Sequence, residues 1–157
     1  MSSPSKSRAM PIYLNGEGQV LGRLASIVAK NLLRGNQVVV VNAEKIVLKG
    51  SWSSVEKEWQ SRFELKSAIN PFRYSPKRYV RPDMYFRRVV RGMLPWRKPK
   101  GKQALRGLRV YIGIPKHLEN VEFISYKDTY GGSGKHYVTL SKVAVRFGWK
   151  EVENING

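Results

Sequence analysis

The first part of the chain combines short apolar runs with one helical repeat. Ile12-Tyr13-Leu14 has the length and composition of a strand, and a glycine-containing turn follows it. Apolar residues then recur every three or four positions, which predicts an amphipathic helix. They are Val20, Leu21, Leu24, Ile27, Val28 and Leu32. The β-branched run 37–41 predicts a strand buried on both faces, so this part of the chain predicts a βαβ unit.

A strand and a helix follow this unit. Residues 45–48 predict a further short strand, and Ser53 with Glu56 has the spacing of a capping box at the start of a helix. One face of that helix is apolar and aromatic, and consists of Trp52, Val55, Trp59 and Phe63. Core packing explains these side chains better than a ligand site does, because they share one helical face.

The apolar pattern resumes after a proline-rich segment. Pro82 suits the first turn of a helix whose inward face is predicted to carry Tyr85, Phe86, Val89, Val90 and Met93. Three arginines, Arg87, Arg88 and Arg91, are predicted on its outward face. Residues 103–108 predict a short helix, and residues 109–114 predict a strand that returns to the sheet.

These elements predict an α/β fold with three layers, α/β/α, around a small, largely parallel, four-stranded sheet. The core domain is expected over residues 11–115, with a basic excursion at 71–109. Residues 1–10, rich in Ser, Pro and Lys, predict a flexible N-terminal arm. Residues 116–157 predict a C-terminal extension with a glycine-rich joint at 131–134 and a short helix bearing Leu140, Val143, Ala144 and Phe147. A chain of 157 residues that is 41% apolar suits one such domain.

The net charge of the chain indicates which class of partner it binds. The chain has 29 Lys and Arg against 11 Asp and Glu, a formal net charge of +18, and such self-repulsion is best tolerated beside a polyanion. A membrane surface is disfavoured because no long apolar run or signal-peptide core is present. The absence of cysteine excludes disulfides and thiolate chemistry and suits a reducing, cytoplasmic location.

The basic excursion predicts RNA contact. Residues 73–109 contain thirteen Lys and Arg and one acid, Asp83. Interleaved aromatic residues can stack on unpaired bases, and the prolines stiffen the loops that present them. Trp96 is predicted to meet a partner, because it lies in a loop between Pro95 and Arg97. The candidate RNA-binding residues are Arg73, Lys77, Arg78, Arg81, Arg87, Arg88, Arg91, Trp96, Arg97, Lys98, Lys100, Lys102, Arg106, Lys135 and His136.

A nucleotide-binding enzyme is the main alternative. Gly16, Gly18 and Gly22 lie between a strand and a helix, and Glu44 follows the next strand, as in a dinucleotide-binding unit. The glycine spacing is one residue too long, and Glu17 lies where a pyrophosphate would approach. The two histidines, His117 and His136, belong to no metal or catalytic pattern. We therefore expect no enzymatic activity, no cofactor, no metal and no small-molecule substrate.

Three strings carry a resemblance to a known family. Gly92-Met93-Leu94-Pro95, a basic spacer, Gly101 and the strand ending at Gly113 resemble the signature of the ribosomal protein L-thirteen family. Residues 21–26 and 39–45 resemble its other two hallmark strings. The resemblance implies a structural protein of the large ribosomal subunit, of the archaeal and eukaryotic branch. It also implies that the chain binds large-subunit ribosomal RNA (rRNA) and neighbouring ribosomal proteins and supports subunit assembly. A general basic RNA chaperone remains a further alternative.

Overall fold

The computed structural model describes residues 11–66, 68–74, 79–131 and 136–150. The arm predicted at residues 1–10 lies outside these ranges. The described elements follow one another as β1 (Ile12–Asn15), α1 (Leu21–Leu33), β2 (Val38–Val41), β3 (Val47–Lys49), α2 (Trp52–Glu64), α3 (Pro71–Tyr74), α4 (Pro82–Met93), α5 (Pro99–Arg106), β4 (Leu108–Val110), β5 (Tyr137–Thr139) and α6 (Leu140–Arg146). Short 3-10 helices occupy Ala43–Lys45 and Lys116–Leu118.

A parallel sheet of three strands, in the order β1-β2-β4, confirms the predicted α/β class. Ile12 pairs with Val38, and Val38 pairs with Leu108, so the three strands start level with one another. The outer edge of β1 is covered by Ile124, whose N–H donates to the Tyr13 carbonyl at 2.9 Å. The predicted βαβ unit is therefore present, with α1 as its crossover.

The prediction of a four-stranded sheet is wrong. The fourth predicted strand, β3, pairs antiparallel with β5 in a separate two-stranded sheet, with Val47 opposite Thr139. Only five residues separate β2 from β3. A parallel neighbour of β2 would need a crossover of a dozen residues or more, whereas an antiparallel partner from elsewhere in the chain needs none.

The main core fills the space between the sheet and helices α1 and α4. Alternate sheet residues point into it, including Leu14, Val40 and Leu108, and all three are fully buried. From α1 the buried residues are Leu21, Leu24, Ala25, Val28, Ala29 and Leu32, which is the predicted apolar face. On α4 only part of the predicted face is buried, since Phe86 and Val90 have no exposed surface but Met93 is 43% exposed.

A second, smaller cluster joins α2, β5 and α6. Its buried members are Val55, Trp59, Val138, Leu140 and Val143. Phe63 and Phe147 stack with their ring centroids 4.9 Å apart, and Trp59 lies 4.6 Å from the ring of Tyr85 on α4. Residues after 115 thus supply one strand and one helix to this cluster. The domain boundaries themselves stay a prediction.

Helix α2 begins differently from the prediction. Its N-cap is Ser51, whose hydroxyl accepts a hydrogen bond from the Ser54 N–H at 3.4 Å, so Ser53 and Glu56 do not form the capping box. Within the described ranges, none of the helices combines the length and the apolar character needed to cross a membrane.

Candidate nucleic-acid interface

Helix α4 carries the first group of candidate residues. Pro82 lies in its first turn, where the missing N–H of proline removes no helical hydrogen bond. Phe86 and Val90 anchor one side of the helix in the main core, which leaves Arg88 exposed on another side. Arg81, just before the helix, is also exposed and forms an ion pair of 3.1 Å with Asp83.

Arg87 does not face outward as predicted. It is half-buried, and its guanidinium donates to the carbonyl oxygens of Leu108 at 2.9 Å and Leu105 at 3.4 Å. Burial lowers the pKa of Arg87, and the neighbouring charge of Arg109 lowers that pKa further. The side chain is long enough to reach back from α4 to the end of α5 and the start of β4. Whether it also meets RNA stays a prediction.

The two hydrogen bonds from Arg87 stabilise both α5 and β4. A cation beside the last carbonyls of α5 complements the negative end of the helix dipole. The Leu108 carbonyl lies in β4, which has a neighbouring strand only on the β2 side. On the β2 side, the Val38 N–H donates to the Gly107 carbonyl, so the next carbonyl along the chain, that of Leu108, points to the side of β4 that has no neighbouring strand. The guanidinium of Arg87 therefore covers part of this free edge.

A tight turn connects α4 to α5. The Trp96 N–H donates to the Leu94 carbonyl at 2.8 Å, and the Lys98 N–H donates to the Pro95 carbonyl at 2.9 Å. Gly101, in the first turn of α5, is buried against this backbone. A β-carbon on Gly101 would lie 2.8 Å from the Trp96 nitrogen and closer still to the Pro95 carbonyl. Only glycine therefore allows α5 to pack directly on the turn.

Trp96 lies at the tip of this turn with two arginines over its ring. The guanidinium carbon of Arg91 is 4.4 Å from the ring centroid, and that of Arg97 is 5.2 Å away. The indole is 37% exposed, so it is neither a core residue nor fully free. Cation–π attraction of this kind is worth about 0.5–1 kcal/mol at an exposed site, enough to bias where the two guanidinium groups rest.

The remaining predicted cations of α5 and its approach are exposed. They are Lys98, Lys100, Lys102 and Arg106. Arg81–Asp83 is the one ion pair that the structure describes among residues 79–109. The cations of α4, the turn and α5 that are exposed or, for Arg91, half-buried are called the α4–α5 surface below. They comprise Arg88, Arg91, Arg97, Lys98, Lys100, Lys102 and Arg106.

Arg109 is a basic residue that was not among the candidates predicted from the sequence. Arg109 is exposed in β4 and lies close enough to Arg87 to lower its pKa. Strand alternation could have identified it, because buried Leu108 and half-buried Val110 on either side point to the opposite face of the sheet.

The remaining candidate RNA-binding residues lie on other elements or outside the described residues. Arg73 is exposed on α3, and its N–H donates to the Asn70 side chain at 3.2 Å. His136 is exposed at the end of the β3–β5 pair, where its carbonyl accepts from the Gly50 N–H at 2.7 Å. Lys77, Arg78 and Lys135 lie outside the described residues.

The glycine turn after β1 is used within the chain. The Gly16 N–H donates to the Val41 carbonyl at 2.9 Å, and the Gly18 N–H donates to the Lys45 carbonyl at 3.1 Å. A β-carbon on Gly18 would lie 2.9 Å or less from atoms of the Tyr130 ring. Buried Glu44 accepts a hydrogen bond from the Gly113 N–H at 2.9 Å. A pyrophosphate would need these donors and this space, so the turn is a packing device.

The described part of the chain contains no candidate metal-binding site. There, no group of three or more His, Cys, Asp and Glu side chains is placed so that it could hold an ion.

The amino-acid sequence of the chain matches one protein family and is similar to several known proteins. Residues 9–117 match the family described as ribosomal protein L13. The large ribosomal subunit protein uL13 of Methanocaldococcus jannaschii is 43% identical over 137 residues, which is 87% of this chain and 97% of that protein. The uL13 protein of Aeropyrum pernix is 41% identical, covering 90% of this chain and 92% of its own length. The uL13 protein of Saccharolobus solfataricus is 36% identical, covering 88% and 93%.

These three relatives are archaeal, in agreement with the branch that the resemblance implies. The match extends beyond the three hallmark strings to most of the described fold, including α1, α4, α5 and the parallel sheet. The chain therefore belongs to the ribosomal protein L13 family.

Proposed function

We propose that this chain is a structural constituent of the large ribosomal subunit that binds large-subunit rRNA through the α4–α5 surface. The observation that carries the proposal is the group of cations on the α4–α5 surface, six exposed and one half-buried, two of which lie over the ring of Trp96. The one acid in the same described segment is already paired with Arg81. Its relatives are named as large-subunit proteins, so the chain works in the cytoplasm within that subunit, and it is not an enzyme.

The α4–α5 surface suits a phosphate backbone because most of its charges extend from helices held by the core. Arginine binds phosphate through two parallel N–H groups, and lysine binds it as a point charge. Arg91 rests over the indole of Trp96, and Gly101 holds α5 against the turn. These contacts reduce the freedom that the cations lose when RNA docks, which improves affinity.

Partners and assembly follow from the same surface. Neutralising several phosphates where RNA segments meet lowers the repulsion between those segments, so binding supports subunit assembly. Neighbouring large-subunit proteins are expected as further partners. We expect the RNA affinity to be highest for large-subunit rRNA, and equal affinity for unrelated RNA of the same length would favour the general RNA chaperone instead.

The first test is filter binding of the full chain to large-subunit rRNA over a series of salt concentrations. If six to ten phosphates are neutralised, affinity should fall by about a thousandfold or more between 50 and 200 mM salt. The triple variant Lys98→Ala, Lys102→Ala, Arg106→Ala should weaken binding and reduce the slope of log affinity against log salt by about 2 to 3. Unrelated RNA serves as competitor.

A matched variant distinguishes the loss of this particular surface from the loss of three positive charges anywhere on the chain. Lys49→Ala, Lys57→Ala and Lys127→Ala remove the same three charges from exposed positions on β3, α2 and the segment before β5. This variant should bind rRNA nearly as well as the parent chain. Equal weakening by the two triples, or a salt response that is flat in the parent chain, would contradict binding through the α4–α5 surface.

A further inference from the structure

Three glycines lie within helices, and the described structure explains only one of them. Gly101 is needed because α5 packs on the turn before it. Gly22 in α1 and Gly92 in α4 have ordinary negative φ angles, and a β-carbon at either position would meet no described atom within 4 Å. Glycine destabilises a helix relative to alanine and leaves the helix backbone uncovered, so an open helical glycine that lies on a binding surface is a candidate contact point for the partner.

Gly92 lies in the middle of the proposed interface. It is exposed in the last turn of α4, and exposed Arg88 lies one turn earlier on the same side of the helix. The next residue, Met93, is 43% exposed, and the preceding residue, Arg91, rests over Trp96. The helix backbone is thus uncovered at one point of a cationic surface.

Charge indicates which part of an RNA strand can approach this point. The carbonyl groups at the C-terminal end of α4 carry partial negative charge, which repels a phosphate but attracts a hydrogen-bond donor. The ribose of RNA carries such a donor, the 2′-hydroxyl, next to the phosphates that Arg88 and Arg91 would bind. The carboxylates of an acidic protein segment would match the arginines, but, like a phosphate, they would be repelled by these carbonyl groups.

We propose that Gly92 is a close-approach point, where the ribose side of an rRNA strand lies directly against the backbone of α4. The inference rests on the proposed function and makes it more specific. The missing side chain lets the strand come near enough for its neighbouring phosphates to reach Arg88 and Arg91. Any larger residue at 92 holds the strand away from both.

The test uses Gly92→Ala and Gly92→Leu in the full chain, with melting temperature and rRNA affinity as paired readouts. Gly92→Ala should raise the melting temperature by about 1–3 °C, because alanine favours the helix and meets no described atom. The same variant should bind rRNA about 3- to 10-fold more weakly. Gly92→Leu should lose more than about 10-fold in affinity while it stays folded.

Gly22→Ala and Gly22→Leu are the matched controls, because Gly22 is the other exposed helical glycine with open space. They should leave rRNA affinity within about twofold of the parent chain. Equal weakening by the Gly22 variants would overturn the assignment to α4. A melting temperature lowered by Gly92→Ala would also overturn it, since part of the chain itself would then occupy the space.

Two further outcomes separate this inference from the proposed function. If Gly92→Leu binds rRNA like the parent chain while the Lys98, Lys102, Arg106 variant binds weakly, the close approach is refuted and the α4–α5 surface stands. If Gly92→Leu binds isolated rRNA normally but fails to enter large subunits on a sucrose gradient, a neighbouring protein covers Gly92, which also refutes the inference.

Discussion

Arg87 and Arg88 are adjacent in sequence but face different surroundings. Arg88 is exposed on α4, whereas Arg87 reaches two carbonyl groups at the junction of α5 and β4. A charged hydrogen bond to a partly buried carbonyl contributes more to stability than a solvated surface charge does. Within one basic segment, therefore, one cation supports the fold and its neighbour is free to meet a partner.

Replacing Arg87 should reduce stability, whereas replacing Arg88 should not. Arg87→Ala leaves the Leu108 carbonyl without its donor, and we expect the free energy of unfolding to fall by about 1–3 kcal/mol. Arg88→Ala should change that free energy by less than about 0.5 kcal/mol, as is usual for an exposed residue. Urea denaturation followed by circular dichroism measures both. Equal stability of the two variants would mean that the Arg87 bonds contribute nothing net.

At the scale of elements, α5 depends on what it packs against. A helix of eight residues is too short to be stable alone in water. Ala104 and Leu105 pack on the main core, and Gly101 brings the first turn of the helix onto the Pro95 backbone. The positions of Lys98 and Lys102 therefore follow from the packing of this helix.

Gly101→Ala should detach the first turn of α5. The added methyl group overlaps the Pro95 carbonyl, which is backbone and cannot rotate away, so we expect a loss of about 1–3 kcal/mol in the free energy of unfolding. Affinity for rRNA should fall as well, because the lysines of α5 shift. Thermal unfolding measures the first effect, with exposed Lys100→Ala as the control. An unchanged melting temperature for Gly101→Ala would show that the turn moves aside at no cost.

For the whole molecule, the net charge of +18 opposes folding as well as favouring a polyanion. Repulsion among exposed cations is screened by salt, and so is their attraction to phosphate. Added salt should therefore raise the stability of the free chain and lower its affinity for RNA.

Between about 20 and 300 mM sodium chloride at pH 7, the melting temperature of the free chain should rise by a few degrees, because the Debye length shortens across that range. Over the same range rRNA affinity should fall steeply. Calorimetry and filter binding on one preparation test the pair. A melting temperature that drops with salt would mean that attractive ion pairs outweigh the repulsion in the folded chain.

Features of the fold that depend on short-range pattern and composition could be predicted from the residues alone. The apolar period predicted β1, α1 and β2, and proline chemistry predicted the start of α4 at Pro82. These predictions succeeded because a helix or strand with one buried face must repeat its apolar residues at that period. The hallmark strings and the excess of basic residues were likewise sufficient to indicate the family.

Contacts between residues that are distant in sequence could not be predicted and follow from the three-dimensional fold. β3 pairs with β5, about ninety residues away, and nothing in the apolar pattern of either strand specifies that partner. The destination of the flexible Arg87 side chain depends on where α5 and β4 lie, and the need for Gly101 depends on how closely one backbone approaches another. Local pattern limits which face of an element is buried, whereas pairing, side-chain reach and close contact are set by elements that meet only after folding.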